Sequence, residues 1–283
     1  MTDRPALLTL GHGYSAAALA ASLLGSWKVS GTARTRAQAD VMRACEVAPV
    51  DWADATAVVA ALRAADHLLV SVPPEAAGDP ALRRFGGVLA EIAPRWIGYL
   101  STTGVYGDRQ GGWVNEESAL RPMSDRGAWR VAAERRWRAV LPGANVFRLA
   151  GIYGPGRSAF ERLRAGRARR IIKPGQVFSR IHVEDIAASL AASMGQPSTG
   201  RAYNLADDLP APPQDVIAFA ARLLGLQVPP DEAFEMAEMS DMARSFYGES
   251  KRVSNRRMRD ELGVDLKYSD YRIGLRAILA AES

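Results

Sequence analysis

The stretch Leu8-Thr9-Leu10-Gly11-His12-Gly13-Tyr14-Ser15-Ala16 constrains the fold more than any other. An apolar run ends at Gly11, a second glycine follows two residues on, and residues 15–24 are rich in alanine and leucine and have helical character. Glycine permits positive φ and leaves no Cβ between the backbone and whatever approaches it. A strand, a glycine turn and a helix start in that order leave the first helical amides free, with the positive dipole end beside them. That combination suits an anion such as a pyrophosphate. Ala16 replaces a third glycine and is small enough for the helix to pack closely on the strand.

The same alternation continues along the chain. Residues 6–10, 28–33, 47–50, 67–72, 96–100 and 144–149 read as short apolar strands, and residues 36–45, 54–64, 82–92 and 124–141 as helices between them. Strands separated by helices predict a parallel sheet covered on both faces. The expected fold class is therefore α/β, a Rossmann-type doubly wound parallel sheet with a small C-terminal substrate lobe. Beyond residue 155 the alternation weakens, with helices expected at 186–194 and 214–224 and a proline-rich link at 210–213. We expect a dinucleotide-binding core over 1–160 and a mainly substrate-binding lobe over 161–283, of which 176–206 returns to the core.

Composition narrows the function classes. With 283 residues, 48% hydrophobic and 24% charged, the chain can bury a sizeable core and is not expected to be disordered. Its longest apolar stretch, 16–24, is too short to span a bilayer, and the N-terminus lacks the pattern of a signal peptide. A cytoplasmic location without a membrane partner is expected. The single cysteine, Cys45, excludes an intramolecular disulfide, and three histidines with no ligand spacing give no metal site. A net charge of +5 favours anionic ligands, but few aromatics interleave the basic residues, so nucleic acid is not expected.

Cofactor preference in such folds is set at the end of the second strand, where a carboxylate would bind the adenosine ribose of NAD. Here the residues are Thr32-Ala33-Arg34-Thr35-Arg36. No carboxylate is present, and a guanidinium at Arg34 can pair bidentately with a 2′-phosphate, with Thr35 or Arg36 assisting. NADP is expected, with NAD the alternative.

Three later segments carry a resemblance: Tyr99-Leu100-Ser101-Thr102-Thr103-Gly104-Val105-Tyr106-Gly107, Phe147-Arg148-Leu149-Ala150-Gly151-Ile152-Tyr153-Gly154-Pro155-Gly156, and Arg180-Ile181-His182-Val183-Glu184-Asp185. In this order, after the glycine turn, they resemble the extended short-chain dehydrogenase/reductase superfamily in its NAD(P)-dependent epimerase/dehydratase branch. The resemblance covers roughly residues 6–210 and implies a dinucleotide held by Gly11, Gly13, Tyr14, Ser15, Arg34 and Thr35. It further implies Asp51 and Trp52 near the adenine and Val70, Ser71, Val72 and Pro73 along the cofactor. Ser101, Leu149, Ala150 and Ile152 would lie toward the nicotinamide. Thr102 would hydrogen-bond the reacting oxygen. Arg180 and His182 are substrate candidates, and Asp185 would fix local structure.

One departure is large. The superfamily uses a tyrosine and, four residues later, a lysine that lowers the tyrosine pKa and holds the nicotinamide ribose. Aligned on Ala132-Ala133-Glu134, this chain has Arg126 and Arg130 at those positions. Arg130 can still hydrogen-bond a ribose, but arginine stays protonated and is a poor proton donor. Tyr106 and Tyr153 are the substitute acids to consider. The resemblance is thus to atypical members, which retain the cofactor pocket with altered or lost chemistry.

The function expected is an oxidoreductase or epimerase/dehydratase-like protein acting on a hydroxyl or carbonyl compound, an anionic small molecule or a sugar nucleotide. The competing expectation is a non-catalytic NADP-binding redox sensor or regulator. Arg162, Arg164, Arg167, Arg169, Arg170 and Lys173 form a basic cluster that reads as an anionic substrate site or a solvated face. His12, inside the turn, is a candidate neighbour of the phosphates. Met236, Met239 and Met242 read as lobe packing or an apolar rim. The resemblance implies a homodimer through residues 126–141, with Trp129 and Trp137 as anchors, beside internal packing of both rings.

Overall fold

The computed structural model describes residues 4–196 and 199–282, with the side chains of Met242 and Ala243 outside that description. Strands β1 (Ala6–Leu10), β2 (Lys28–Ala33), β3 (Ala48–Asp51), β4 (His67–Val70) and β5 (Trp96–Thr102) alternate with helices α1 (Tyr14–Ser22), α2 (Arg36–Ala44), α3 (Ala55–Ala64) and α4 (Pro80–Glu91). After β5 come a 3-10 turn (Thr103–Tyr106), β6 (Trp113–Val114), α5 (Asp125–Val140), β7 (Asn145–Leu149), β8 (Gly151–Tyr153), α6 (Ala159–Arg164) and β9 (Arg170–Ile172). The remainder comprises β10 (Arg180–His182), α7 (Val183–Met194), β11 (Ala202–Leu205), α8 (Pro213–Leu223), β12 (Asp231–Ala233), α9 (Asp241–Tyr247), β13 (Arg252–Val253), α10 (Arg256–Leu262) and α11 (Tyr271–Ala281).

Seven strands form one parallel sheet in the order β11-β7-β5-β4-β1-β2-β3. Successive residues of β1 serve opposite faces, as strand geometry requires. Leu7 packs with Leu19 of α1, Met42 of α2 and Leu190 of α7, whereas Leu8 and Leu10 pack with Leu62 of α3, Leu89 of α4 and Trp137 of α5. Burial of each such leucine stabilises the fold by about 1.5–3 kcal/mol. Helices therefore cover both faces, and the doubly wound parallel sheet is confirmed. A third apolar cluster joins Tyr153 to Phe160 of α6, Ile217 of α8 and Leu275 of α11.

Three local expectations change. Residues 202–205, given no element in the sequence reading, are β11, buried at the sheet edge beside β7. Trp137 is fully buried and donates Nε1–H to Asp79 Oδ2 at 2.9 Å, so it packs internally. Met236 is 79% exposed and precedes α9, which rules out core packing there, and the side chain of Met242 lies outside the described residues.

Candidate functional site

The carboxyl ends of four strands lie side by side, with Leu10 paired to Val70, Val70 to Tyr99 and Thr102 to Leu149. That register gathers the glycine turn, Ser71–Pro73, Thr102 and Ala150 along one edge. The strand order reverses between β4 and β1, the switch point at which open α/β sheets form a ligand crevice.

Gly11 has φ +83°, and a Cβ there would stand 3.0 Å from both the Val72 backbone N and its Cγ2. Its amide donates to Thr32 Oγ1 at 2.7 Å, which ties the turn to β2. Gly13 is exposed and caps α1 without a side-chain acceptor, so no side chain occupies the first amides of the helix. The close backbone approach and the uncapped helix end fit a dinucleotide pyrophosphate. The Tyr14 hydroxyl donates to Pro155 O at 2.9 Å, carrying that side chain across to the loop after β8, while the Ser15 side chain is buried. His12 does not face the turn's outside. Its Nδ1 lies 3.0 Å from Thr9 Oγ1 in space left by Gly31, and burial lowers its pKa.

At the end of β2 the Arg34 guanidinium is exposed and has no hydrogen-bond or ionic partner among the described residues. The Arg34 amide donates to Gln38 Oε1 at 3.1 Å, and Gln38 Nε2 donates to His12 O at 3.3 Å. Gln38 thus links the glycine turn to Arg34, a role the sequence reading missed. Its signal was legible in Thr35-Arg36-Ala37-Gln38, a capping-box spacing. Thr35 Oγ1 accepts from Gln38 N at 3.2 Å, so this hydroxyl is occupied as the cap of α2.

Trp52 N donates to Ala33 O at 2.8 Å, which sets the β3 end beside Arg34. The exposed Asp51 carboxylate accepts from Ala53 N at 2.9 Å. The Trp52 ring meets Phe85 edge-on at 5.5 Å, and Arg84 donates to the carbonyls of Trp52 and Ala53. Trp52, Pro80, Arg83 and Arg84 line an open cleft of about 350 Å³. Along β4 and its loop, Val70 is buried, Ser71 and Val72 are half-buried, and Pro73 is exposed.

At the other end, Thr102 is half-buried and its Oγ1 accepts from Gly104 N at 3.1 Å, which leaves the hydroxyl proton available to a ligand oxygen. Ser101 is buried and donates to Glu134 Oε1 at 2.5 Å, so its hydroxyl points into the protein. Leu149 and Ala150 are buried and Ile152 is half-buried. Arg130 donates to Leu100 O at 2.6 Å and to the Tyr99 hydroxyl at 3.1 Å.

Three candidates require correction. Tyr106 is fully buried, donates to Asn204 Oδ1 at 2.6 Å and accepts from Arg148 Nη1 at 2.9 Å, so its phenol is consumed in the interior. His182 is 1% exposed, caps α7 by accepting from Glu184 N at 3.2 Å, and packs at a tilt against the Tyr268 ring, so it does not reach a substrate. Burial lowers its pKa to about 4. Tyr153 is also buried, with its hydroxyl on Asp270 O at 3.3 Å and its pKa raised by that burial. Arg180 is half-buried, donates to Phe178 O and Ala211 O at 2.8 and 2.9 Å, and has its pKa lowered by burial. Asp185 accepts from the amides of Lys267 and Tyr268 at 2.9 and 3.1 Å, the local structural role expected. Much of the basic cluster is neutralised, since Arg164 pairs with Glu282, Arg169 with Glu232 and Arg170 with Asp231. Among the described residues no cluster of histidine, cysteine and carboxylate side chains could hold a metal, and no helix is long and apolar enough to cross a membrane.

No protein-family model matches the sequence, and no curated protein does. Solved structures do. A functionally unknown conserved protein from Silicibacter pomeroyi DSS is 50% identical over 99% of each chain, with a TM-score of 0.92. A dTDP-glucose 4,6-dehydratase from Bacillus anthracis in complex with NAD is 16% identical, with a TM-score of 0.77 over 98% of this chain and 96% of that one. A UDP-glucuronic acid 4-epimerase from Bacillus cereus, also with NAD, is 14% identical, with a TM-score of 0.76 over 97% of this chain and 96% of that one. The chain therefore belongs to the family of the conserved Silicibacter pomeroyi protein, and it shares the fold of the dTDP-glucose 4,6-dehydratase and UDP-glucuronic acid 4-epimerase structures.

Proposed function

We propose that the protein is an NADP-binding oxidoreductase or epimerase/dehydratase-like enzyme acting on a hydroxyl or carbonyl compound of the sugar-nucleotide or small anionic class. The observation that carries this reading is the glycine turn, with Gly11 pressed against Val72 and α1 left uncapped at Gly13. Gly11, Gly13 and the first amides of α1 would hold the pyrophosphate, Asp51 and Trp52 the adenine end, and Val70–Pro73, Leu149, Ala150 and Ile152 the remainder. Likeness to NAD-bound neighbours supports a nicotinamide dinucleotide, and one neighbour was also solved with UDP-glucuronic acid. The unpaired guanidinium of Arg34, with no carboxylate at the end of β2, supports NADP over NAD.

When bound, the dinucleotide supplies the carbon that exchanges hydride. Thr102 offers a hydroxyl proton to the substrate oxygen. In this reading residues 1–160 would form the cofactor-binding part and 161–283 mainly the substrate part, with 176–206 returning to the core, where β11 joins the seven-stranded sheet.

A second reading, a dinucleotide-binding regulator without turnover, is favoured by the fate of the phenols. The hydroxyls of Tyr99, Tyr106 and Tyr153 are all engaged by protein atoms. Incubation of the purified protein with NADPH or NADP and a panel of carbonyl compounds and sugar nucleotides separates the two. Dinucleotide turnover or conversion of a sugar nucleotide establishes the enzyme. Tight dinucleotide binding with neither, together with a protein partner whose affinity depends on the dinucleotide, establishes the regulator.

A further inference from the structure

Arg126 and Arg130 stand one turn apart on α5, a spacing that puts both side chains on one helix face. Arg130 is half-buried, and its guanidinium meets only neutral groups: Leu100 O at 2.6 Å, the Tyr99 hydroxyl at 3.1 Å and the Tyr99 ring at 5.7 Å. Arg126 is exposed and makes no hydrogen bond or ion pair with any described residue. Neither arginine has a carboxylate within 4.0 Å among the described residues.

Elsewhere arginines are often compensated. Arg148 pairs with Glu134 in the interior, and Arg164, Arg169, Arg201 and Arg257 each meet a carboxylate. A cation partly withdrawn from water and held by neutral oxygens keeps its charge uncompensated, which favours the arrival of an anion. This face of α5 also adjoins the reacting edge. Arg130 bonds the carbonyl two residues before Thr102, and a Cβ on Gly127 would lie 3.2 Å from Gly104 O.

We propose that Arg126 and Arg130 form an oxyanion-binding pair for the substrate, which therefore carries a carboxylate or phosphoryl group beside the carbon that reacts at Thr102. The inference rests on the dinucleotide-site reading above and adds the charge class of the substrate. Guanidinium groups suit this task because their donors match the spacing of carboxylate and phosphate oxygens.

The test is calorimetric titration at constant ionic strength with oxalate and, separately, inorganic phosphate, on the full chain with and without saturating NADPH. Saturable binding of at least one anion is expected, weakened tenfold or more in Arg126→Gln and in Arg130→Gln, with Arg130→Lys losing less than Arg130→Gln. Arg135→Gln, which removes an exposed arginine of the same helix, is expected to change nothing. Oxalate binding alone assigns the carboxylate source, and phosphate binding alone the phosphoryl source. No saturable binding of either anion overturns the proposal, as does affinity unchanged in both glutamine variants or lost equally in Arg135→Gln. A parallel NADPH titration keeps the two readings apart: anion binding without NADPH binding sinks the cofactor reading alone, and the reverse sinks the arginine pair alone.

Discussion

Glu134 Oε2 and Arg148 Nη2 meet at 2.9 Å with their side chains 3% and 4% exposed. The pair joins α5 to β7 and organises its neighbours, since Glu134 also accepts from Ser101, and Arg148 donates to Tyr106. Removing one partner from a buried pair leaves the other charge stranded. Glu134→Leu is expected to lower the unfolding free energy by about 3–5 kcal/mol in urea titration. The double variant Glu134→Leu/Arg148→Met is expected to lose clearly less than the sum of the two single changes. Simple additivity would mean that the two groups do not compensate each other.

His182 predicts an acid-sensitive stability. Burial lowers its folded-state pKa from 6.5 to about 4, so below 6.5 the unfolded chain binds the proton more readily. Stability is therefore fully present above that value and falls as pH drops toward 4, by on the order of 3 kcal/mol from this group. Denaturant titrations of the native protein and His182→Asn across this window test it, because asparagine can cap α7 without titrating. The native protein should lose more stability on acidification than the variant, and parallel curves would refute the assignment.

Asp207 acts with the opposite sign. It is 1% exposed, and burial pushes its pKa up to about 8 against the pull of Arg180 and of the Leu209 amide. The folded protein then holds a proton that the unfolded chain releases above 3.8, so stability declines as pH rises from there through 8. Asp207→Asn should flatten that decline in thermal denaturation from pH 5 to 9. An unchanged slope would show that Asp207 is ionised in the folded state at neutral pH.

Gly11→Ala should separate binding from folding. A Cβ at φ +83° would stand 3.0 Å from the Val72 backbone N and Cγ2, which would have to give by a few tenths of an ångström. We expect at least tenfold weaker dinucleotide binding and a stability loss of about 1–2 kcal/mol from the strained backbone. Undiminished affinity in fluorescence titration would dissociate the turn from the cofactor.

The sheet was legible because its strands are apolar runs bounded by turn residues, and because β1 alternates faces at Leu7 and Leu8. β11 was not, because Asn204 interrupts its apolar run and its edge position depends on distant pairing with β7. The glycine turn and Arg34 were legible for the same local reason, each being a residue type in a set place. Side-chain direction was not: His12 lies in the turn yet points at Thr9, and Tyr106 lies just past Thr102 and Gly104 yet is consumed by Asn204 and Arg148. His182 likewise shows its role only through the α7 amide it caps. The partners of Tyr106 lie far away in the chain, and even the near partners of His12 and His182 are chosen by burial and side-chain direction, which residue spacing does not encode.

The central claim is a dinucleotide site whose preference is set by Arg34, and direct fluorescence titration of the protein with NADPH and NADH tests it most plainly. The account predicts saturable binding of both, with NADPH at least tenfold tighter and that margin lost in Arg34→Ala while NADH affinity stays within a few-fold. A tenfold preference for NADH in the native protein, or an NADPH margin that survives Arg34→Ala, would contradict it.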